Sequence, residues 1–265
     1  MNAPLDGAVQ QLVLRQDAQG ICTLTLNRPG QYNAINGAML DALQTAIDSI
    51  AQDESVRVIV LAGAGPVFCP GHDLKEMLAH SNEPFVGDLF RRCSNVMLSI
   101  QRAPQPVIAR VHGIATAAGC QLVAAADLAV AATDARFATS GINYGLFCAT
   151  PGVPLSRNIS RKRAFEMLMT GAFIDAGTAL AWGLINRVVP PSELESATIA
   201  LARQMMDKPG AVVAAGKRFF YDQLDRPIEQ AYTAASAEIT RGMLADEGQE
   251  GVSAFVQKRK PRWKP

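Results

Sequence analysis

Three short, mostly apolar runs constrain the fold of this 265-residue chain more than any other feature of its sequence. They are Val56–Leu61, Pro106–Val111 and Leu128–Ala131. Because polar residues do not alternate along them, these runs are typical of strands buried on both faces of a parallel sheet. Segments with helical spacing of apolar residues lie between them, such as Leu89–Gln101. Strands that alternate with helices predict the α/β fold class.

The sequence on either side of these runs predicts the remaining architecture. Gln11–Arg15 and Ile21–Leu26 are rich in strand-forming residues and flank a turn, so they predict an opening hairpin. Asn36 is placed to cap the first helix. Toward the C-terminus the pattern becomes mostly helical. We therefore expect an α/β core at residues 1–195, followed by a helical region at residues 196–265.

Composition and charge exclude several classes of function. Hydrophobic residues make up 49% of the chain, which is enough for a large buried core. The formal net charge is only +1, so no overall basic field indicates a nucleic acid or an anionic membrane as the main partner. Since no segment offers about 20 consecutive apolar residues, we expect no membrane span.

The cysteines and the first residues bear on the compartment. Five cysteines are scattered, and they form neither a CxxC pair nor a cluster with zinc spacing. The first ten residues, MNAPLDGAVQ, have no positive segment or long apolar run and are a poor signal or transit peptide. We therefore expect a reduced, metal-free, cytoplasmic protein.

The first informative segment is Val67–Met77. Asp73, followed three residues later by Glu76, resembles a capping box and predicts the start of a helix. Gly71 permits an unusual backbone angle just before it. The amide groups around His72 would then lie at the positive end of a helix, where they could donate to an oxyanion. An ordinary capped turn is the alternative interpretation.

The second segment, His112–Leu122, follows another predicted strand. Thr116 is placed to cap a helix whose first turn consists of small residues, which would let a ligand approach the backbone. Tight helix packing also selects such residues. Together, however, the two segments offer what a thioester enolate requires, which is two converging N–H donors.

These two segments resemble the signatures of the crotonase (enoyl-CoA hydratase/isomerase) superfamily. Phe68–Met77 is similar to the first signature and Gly113–Cys120 to the second. The resemblance extends over nearly the whole chain and is closest to the enoyl-CoA hydratase domain-containing 3 type. The other matching segments are, in order, Leu26–Pro29, Asp127–Ala131, Glu166–Gly171, Trp182–Pro190 and Ser253–Lys260.

The resemblance implies a crotonase-like spiral of ββα units, with C-terminal helices that assemble trimers or dimers of trimers. It also implies an enzyme of the hydratase-like lyase and isomerase class that acts on an acyl-CoA thioester. It implies neither a metal nor a redox cofactor. Coenzyme A is part of the substrate and is not a separate cofactor.

The resemblance also assigns roles to particular residues. The backbone N–H groups of His72 and Ala118 would form the oxyanion hole. Phe255 and Lys258 would approach coenzyme A from a neighbouring subunit. The other residues that would line coenzyme A lie in the segments 28–32 and 70–75 and are Arg28, Tyr32, Pro70, Asp73, Leu74 and Lys75.

The chain departs from the family at its two acid–base positions. Hydratases of the family use two glutamates, and these positions correspond here to Gln121 and Gly141. Gln121 lies three residues after Ala118, so we expect its side chain to point at the thioester. A glutamine orients a water or a carbonyl but cannot take a proton. Positioned acid–base groups contribute about 10²–10⁴ each, so we expect little hydration.

Two alternatives to a hydratase remain open at this stage. A decarboxylase of malonyl-type CoA esters would need no base, because CO₂ leaves without prior proton abstraction. Crotonase-type decarboxylases share the Gly-His-Asp first signature, but they place a tyrosine near the position of Cys148. Tyr144 is near this position in sequence, and we interpret it as structural. The other alternative is a non-catalytic acyl-CoA-binding protein.

Overall fold

The computed structural model describes residues 11–263, so the expectation about the first ten residues lies outside the described part. Its strands are β1 (Val13–Ala18), β2 (Ile21–Leu26), β3 (Val58–Gly63), β4 (Val107–Val111), β5 (Ile114–Thr116), β6 (Leu128–Ala132), β7 (Arg136–Ala138), β8 (Ile174–Asp175) and β9 (Arg187–Val189). Its helices are α1 (Gly37–Ala51), α2 (Leu74–Ala79), α3 (Glu83–Arg102), α4 (Ala118–Ala125), α5 (Ala149–Asn158), α6 (Arg161–Thr170), α7 (Ala176–Trp182), α8 (Leu194–Met206), α9 (Gly210–Leu224), α10 (Ile228–Leu244) and α11 (Asp246–Val256).

The main sheet contains six of these strands in the order β1-β2-β3-β4-β6-β9. β1 and β2 pair antiparallel, which confirms the predicted hairpin. The remaining pairs are parallel. The three apolar runs thus become the adjacent central strands β3, β4 and β6, and their side chains are largely buried. The predicted α/β architecture is confirmed.

A second layer of short strands lies at the ends of the main strands. β5 pairs with β7 and β7 with β8, and single bridges link Ile35 to His72 and Cys69 to Ala115. The order main strand, short strand, helix therefore recurs along the chain, as in β4-β5-α4 and in β6-β7 followed by α5. This repeated ββα order corresponds to the predicted spiral.

Apolar side chains fill both faces of the main sheet. One face packs against α1, α3 and α4 in the larger core cluster. The other face is covered by α8 through Leu194, Leu201 and Ala202. The division that we propose at residue 195 falls at the start of α8, which packs on the core. We retain the two-part division as a proposal.

The C-terminal helices α9, α10 and α11 bury little of their own surface. Within them only Ala231 and Ala254 are buried. Many large apolar side chains of these helices are exposed in the single chain, among them Phe220, Leu224, Ile228, Tyr232, Ile239, Leu244, Phe255 and Val256.

The helix starts only partly follow the capping predictions. Asn36 caps α1, since its side chain accepts from the Met39 amide at 2.9 Å. The prediction for Thr116 is wrong, because this residue ends β5 and its hydroxyl contacts Ser140 Oγ at 2.8 Å. Ala117 takes the cap position without a side-chain acceptor and has a φ of +49°.

Candidate active site

The two predicted helix starts lie side by side because their strands are joined by backbone hydrogen bonds. The Cys69 amide donates to the Ile114 carbonyl, and the Cys69 carbonyl accepts from the Thr116 amide, both at 3.0 Å. Through these two bonds Cys69 pairs with β5 in the parallel direction. The chain that enters α2 is therefore held against the chain that enters α4.

Two glycines allow this close approach. A β-carbon on Gly119 would lie 2.0 Å from the Cys69 carbonyl oxygen, so no larger residue fits there. Gly71 has a φ of +106°, which side chains rarely adopt. A β-carbon on Gly71 would lie 2.9 Å from the Ala117 β-carbon and 3.3 Å from the Ala118 amide nitrogen. The backbone before His72 thus directly adjoins the start of α4.

The amides of His72 and Ala118 are free to donate to a ligand. Ile35 hydrogen-bonds to the residues on either side of His72, namely the Gly71 carbonyl and the Asp73 amide, each at 2.8 Å. Because N–H groups alternate in extended chain, the His72 amide faces away from Ile35. Ala118 begins α4, where the first amides have no partner within the helix. Neither amide donates to another residue within 11–263.

Asp73 caps α2, as predicted, but the reciprocal half of the capping box does not form. The Asp73 carboxylate accepts from the amides of Lys75 and Glu76, whereas the Glu76 carboxylate accepts from the Gly37 amide at 3.0 Å. Burial alone would raise the pKa of Asp73, but the bonds from Arg28 and from the helix amides outweigh it, so this pKa is lowered. Asp73 is therefore a charged structural cap.

The His72 side chain lies in a buried, apolar setting. Its ring meets the edge of Phe90 on α3, with 5.1 Å between the centroids. Its buried Nε2 has no hydrogen-bond partner among the described residues. Burial lowers the pKa of His72 to about 4, so its imidazole is neutral at pH 7.

Gln121 lies on α4 with 3% of its surface exposed. Its Oε1 is 3.9 Å from the Sγ of Cys93 on α3. Burial raises the pKa of the Cys93 thiol to about 12, so the thiol is protonated at pH 7. Neither side chain of this pair can act as a base at neutral pH, which agrees with the expectation drawn from the absence of a glutamate.

At the second family position the space for a side chain is filled. Gly141 lies in the 3₁₀ turn Ser140–Tyr144. A β-carbon on Gly141 would lie 2.6 Å from the Leu146 carbonyl oxygen and 2.8 Å from Cys148 Sγ. The Gly141 amide also donates to this sulfur at 3.3 Å. The chain thus has neither a carboxylate at residue 141 nor the space that one would need.

The residues predicted to line coenzyme A form two groups. Arg28 donates to the Ala34 carbonyl at 2.5 Å and pairs with Asp73 at 3.1 Å, which ties the segment 28–34 to the start of α2. Pro70 and Asp73 are partly buried between the two helix starts, whereas Tyr32, Leu74 and Lys75 are exposed beside them.

The remaining candidates lie on the surface. Phe255 is 85% exposed at the end of α11, and Lys258 follows with a φ of +54°. No hydrogen bond or ion pair among the described residues joins either of them to the helix starts. Tyr144 is 69% exposed at the end of its 3₁₀ turn.

Asn33 is the main contributor that sequence reasoning missed. It is fully buried, with a φ of +63°. Its Nδ2 donates to the carbonyls of Ala64, Val67 and Phe68 at 2.7–3.2 Å, and its Oδ1 accepts from the Arg28 amide. It therefore fixes the approach to the first helix start. Its place beside the matched segment Leu26–Pro29 was the only available signal.

Within residues 11–263 the structure contains no candidate metal-binding cluster and no helix that could span a membrane. No group of three His, Cys, Asp or Glu side chains there could hold a metal ion. No helix there combines the length and apolar character needed to cross a bilayer. All five cysteines are buried and free.

Comparison with known proteins identifies the family. Residues 16–265 match the enoyl-CoA hydratase/isomerase family, and the chain belongs to this family. It is similar to enoyl-CoA hydratase domain-containing protein 3, mitochondrial, of Mus musculus, with 44% identity over 96% of this chain and 84% of the relative. The Homo sapiens protein of the same name is 46% identical over 92% and 80% of the two chains. The predicted resemblance is confirmed.

Solved structures confirm the crotonase-like fold. An enoyl-CoA hydratase from Mycobacterium smegmatis superposes with a TM-score of 0.93 and 56% identity, covering 95% of this chain and 98% of that one. Human enoyl-CoA hydratase domain-containing protein 3 superposes with a TM-score of 0.92 and 44% identity, covering 95% and 100%.

The expectation of a cytoplasmic protein is wrong. The mouse, human and rat relatives are all named as mitochondrial proteins. The expectation rested largely on cysteine usage, and unpaired thiols are compatible with more than one reducing compartment. Cysteine usage therefore could not specify the cytoplasm.

Proposed function

We propose that this protein binds acyl-CoA thioesters and stabilises a thioester enolate with the backbone amides of His72 and Ala118. The single observation that carries the proposal is that two unpaired amides lie close together. His72 directly follows Gly71 in the chain, and the Ala118 amide adjoins Gly71 in space. Family membership supports a coenzyme A thioester as the ligand.

The chemistry follows from where charge develops in an enolate. As the α-carbon gains an electron pair, negative charge moves onto the thioester oxygen. Two fixed N–H donors stabilise that oxyanion without reorganisation, and one such donor is worth about 10²–10³ in rate. The orphaned amides at the start of α4 add a favourable helix-end potential.

Hydration is the reaction least suited to this site. Addition of water to an enoyl-CoA needs a base that takes a proton from the water and an acid that delivers one to the α-carbon. Gln121 can do neither, and Gly141 has no side chain. His72, with a pKa lowered to about 4, is a single uncharged group at pH 7, so its imidazole cannot supply both the base and the acid. We therefore expect hydration far below ordinary family rates.

Decarboxylation of a malonyl-type CoA ester is the second candidate function. In this reaction the bond to the carboxylate carbon breaks, CO₂ leaves, and its electron pair forms the enolate, which later takes a proton from solvent. Only enolate stabilisation is then required, and the lack of a carboxylate base at residues 121 and 141 favours this step over hydration.

We also propose that the protein forms trimers or dimers of trimers. The support is the set of exposed apolar side chains on α9–α11, which soluble monomers rarely present to water over such an extent. In such an assembly Phe255 and Lys258 of one subunit would approach the coenzyme A bound to the next.

Three assays of the purified protein separate these functions. We expect binding of butyryl-CoA, little hydration of crotonyl-CoA, and release of CO₂ from methylmalonyl-CoA if the second candidate holds. Hydration at ordinary family rates would refute the assignment of roles to residues 121 and 141. Binding without turnover of either substrate would identify a non-catalytic acyl-CoA-binding protein. No binding of any acyl-CoA would refute the proposal itself.

A further inference from the structure

The contact between Cys93 and Gln121 joins two helices that border the candidate active site. Cys93 is completely buried on α3, and Gln121 lies one turn into α4, after the Ala118 amide. The thiol sulfur lies 3.9 Å from the amide oxygen of Gln121. This is the one hydrogen bond that the Gln121 side chain makes with residues 11–263.

The chemistry of the thiol fixes which end of the amide faces α3. Burial holds the thiol in its protonated form, and a protonated thiol is a donor. It therefore pairs with the oxygen of Gln121 and leaves the NH₂ group directed elsewhere. That Nε2 donates to no other described residue. This nitrogen is not among the buried side-chain atoms that lack a partner, so it reaches accessible space, where a ligand or water can accept its hydrogen bond.

A second unpartnered atom adjoins the same face of α3. Phe90 and Cys93 are three residues apart and share one side of the helix. Phe90 contacts the His72 ring, and Cys93 contacts Gln121. The buried Nε2 of His72 also has no hydrogen-bond partner in the described part of the chain. This side of α3 thus adjoins one accessible amide nitrogen, on Gln121, and one buried ring nitrogen, on His72, neither of which has a hydrogen-bond partner among the described residues.

We propose that Cys93 is a positioning residue that holds the Gln121 amide as an N–H donor toward the acyl group of the substrate. The site then prefers acyl-CoA thioesters with an oxygen on a carbon near the thioester over those with a plain hydrocarbon chain. This inference rests on the proposed acyl-CoA binding, and it adds the substrate class and the residue that sets it.

The test compares the affinities of matched ligands by isothermal titration calorimetry. Butyryl-CoA supplies the plain chain, 3-hydroxybutyryl-CoA an uncharged oxygen, and malonyl-CoA a charged one, with chromatography to verify that the ligand is intact. One additional hydrogen bond corresponds to about fivefold to tenfold in affinity. We expect the wild type to prefer at least one oxygenated ligand by this factor, and the preferred ligand identifies whether the oxygen is charged.

The variants then separate positioning from packing. Gln121→Met retains the size but removes the donor, so the preference for the oxygenated ligand over butyryl-CoA should disappear. Cys93→Ala should reduce the preference, and Cys93→Ser, which restores a donor, should recover it. Cys22→Ala removes another fully buried thiol, far away on β2, and serves as the matched control that leaves the preference unchanged.

Each result supports or overturns the inference. Wild-type binding without preference overturns it and leaves the proposed function intact. A preference that survives Gln121→Met, or that Cys93→Ala and Cys22→Ala weaken equally, also overturns it. If the wild type binds none of the three thioesters, the proposed function fails as well.

Discussion

At the residue scale, the position of Cys148 leaves no room for a side chain at residue 141. The Cys148 sulfur occupies the space into which a side chain at residue 141 would project, and it accepts a hydrogen bond from the Gly141 amide. Gln121, by contrast, differs from glutamate by a single atom and retains its space. The two predicted glutamate positions are therefore unequal, since a carboxylate side chain fits at residue 121 but not at residue 141.

Restoring both glutamates should accordingly fail to produce a hydratase. In the Gln121→Glu and Gly141→Glu double variant, the new side chain at residue 141 would collide with the Leu146 carbonyl and with Cys148. We expect crotonyl-CoA hydration no higher than in Gln121→Glu alone, and a loss of about 1–3 kcal/mol in the free energy of unfolding. An increase in hydration of more than about a hundredfold over the single variant, measured by ultraviolet absorbance, would contradict this account.

His72 should make the stability of the protein depend on pH. Its pKa is lowered to about 4 in the folded state by burial, against about 6.5 in an unfolded chain. Between these values the unfolded state binds a proton that the folded state excludes. Stability is therefore fully present above about pH 6.5 and is lost as the pH falls toward 4.

The comparison with His72→Asn isolates this contribution, since the variant keeps the backbone amide. Between about pH 7.5 and pH 5 the wild type should lose on the order of 2 kcal/mol more free energy of unfolding than the variant. Urea denaturation at both pH values measures the difference. Equal losses in the two proteins would show that the imidazole is not held neutral by burial.

Single residues were predictable from sequence where the backbone decides their role. Gly71, Asp73 and Ala118 lie within contiguous signatures, so their positions followed from local pattern. Cys93 could not be predicted in this way, because its contact with the site joins segments 28 residues apart. Asn33 could not be predicted for the same reason, since the carbonyls that accept its hydrogen bonds lie more than 30 residues further along the chain.

At the scale of elements, α9 is attached to the sheet by a partly buried charge cluster. Lys217 pairs with Asp127 at 2.7 Å and donates to the carbonyls of Ile100 and Gln105. Tyr221 donates to the other Asp127 oxygen at 2.7 Å. Burial lowers the pKa of Lys217 although Asp127 opposes this, and burial raises the pKa of Tyr221. The cluster connects α9 to the ends of α3, β4 and β6.

Removing one charge of this cluster should be costly. Lys217→Met leaves the Asp127 carboxylate buried without a cation, so we expect a loss of about 3–5 kcal/mol. The Lys217→Met and Asp127→Asn double variant removes both charges and should recover part of the loss. Chemical denaturation at a fixed protein concentration measures both. A loss below about 1 kcal/mol in the single variant would show that the pair does not hold α9.

Long elements were predictable and short ones were not. The predicted helical segment Leu89–Gln101 lies within α3, and the predicted strand at 106–111 corresponds to β4. β5, β7 and β8 have only two or three residues, which is too short for any periodicity to appear. They form by pairing between distant segments, and the same pairing makes Thr116 a strand residue rather than a cap.

At the scale of the whole molecule, the exposed apolar surface of α9–α11 points to self-association. We expect the protein in solution to have three or six times the 28.3 kDa mass of one chain. Ile239→Lys places a charge at a position that is 72% exposed on α10 and should shift the mass toward one chain. Light scattering after size-exclusion chromatography measures this.

The control for this prediction is Thr240→Lys. Its hydroxyl bonds to the Ser236 carbonyl of the same helix, so the change adds the same charge on a polar position next to Ile239. A wild type that elutes as one chain, or an Ile239→Lys variant that remains assembled, would contradict the proposed association. The family resemblance implies both the fold of the single chain and its assembly, but the sequence pattern alone predicts only the fold.

The most direct test of the central claim is a crystal structure of the protein with butyryl-CoA bound. We predict that the thioester oxygen lies about 2.7–3.1 Å from both the His72 and the Ala118 amide nitrogens. A thioester oxygen that contacts neither amide, or coenzyme A bound elsewhere on the molecule, would contradict the account.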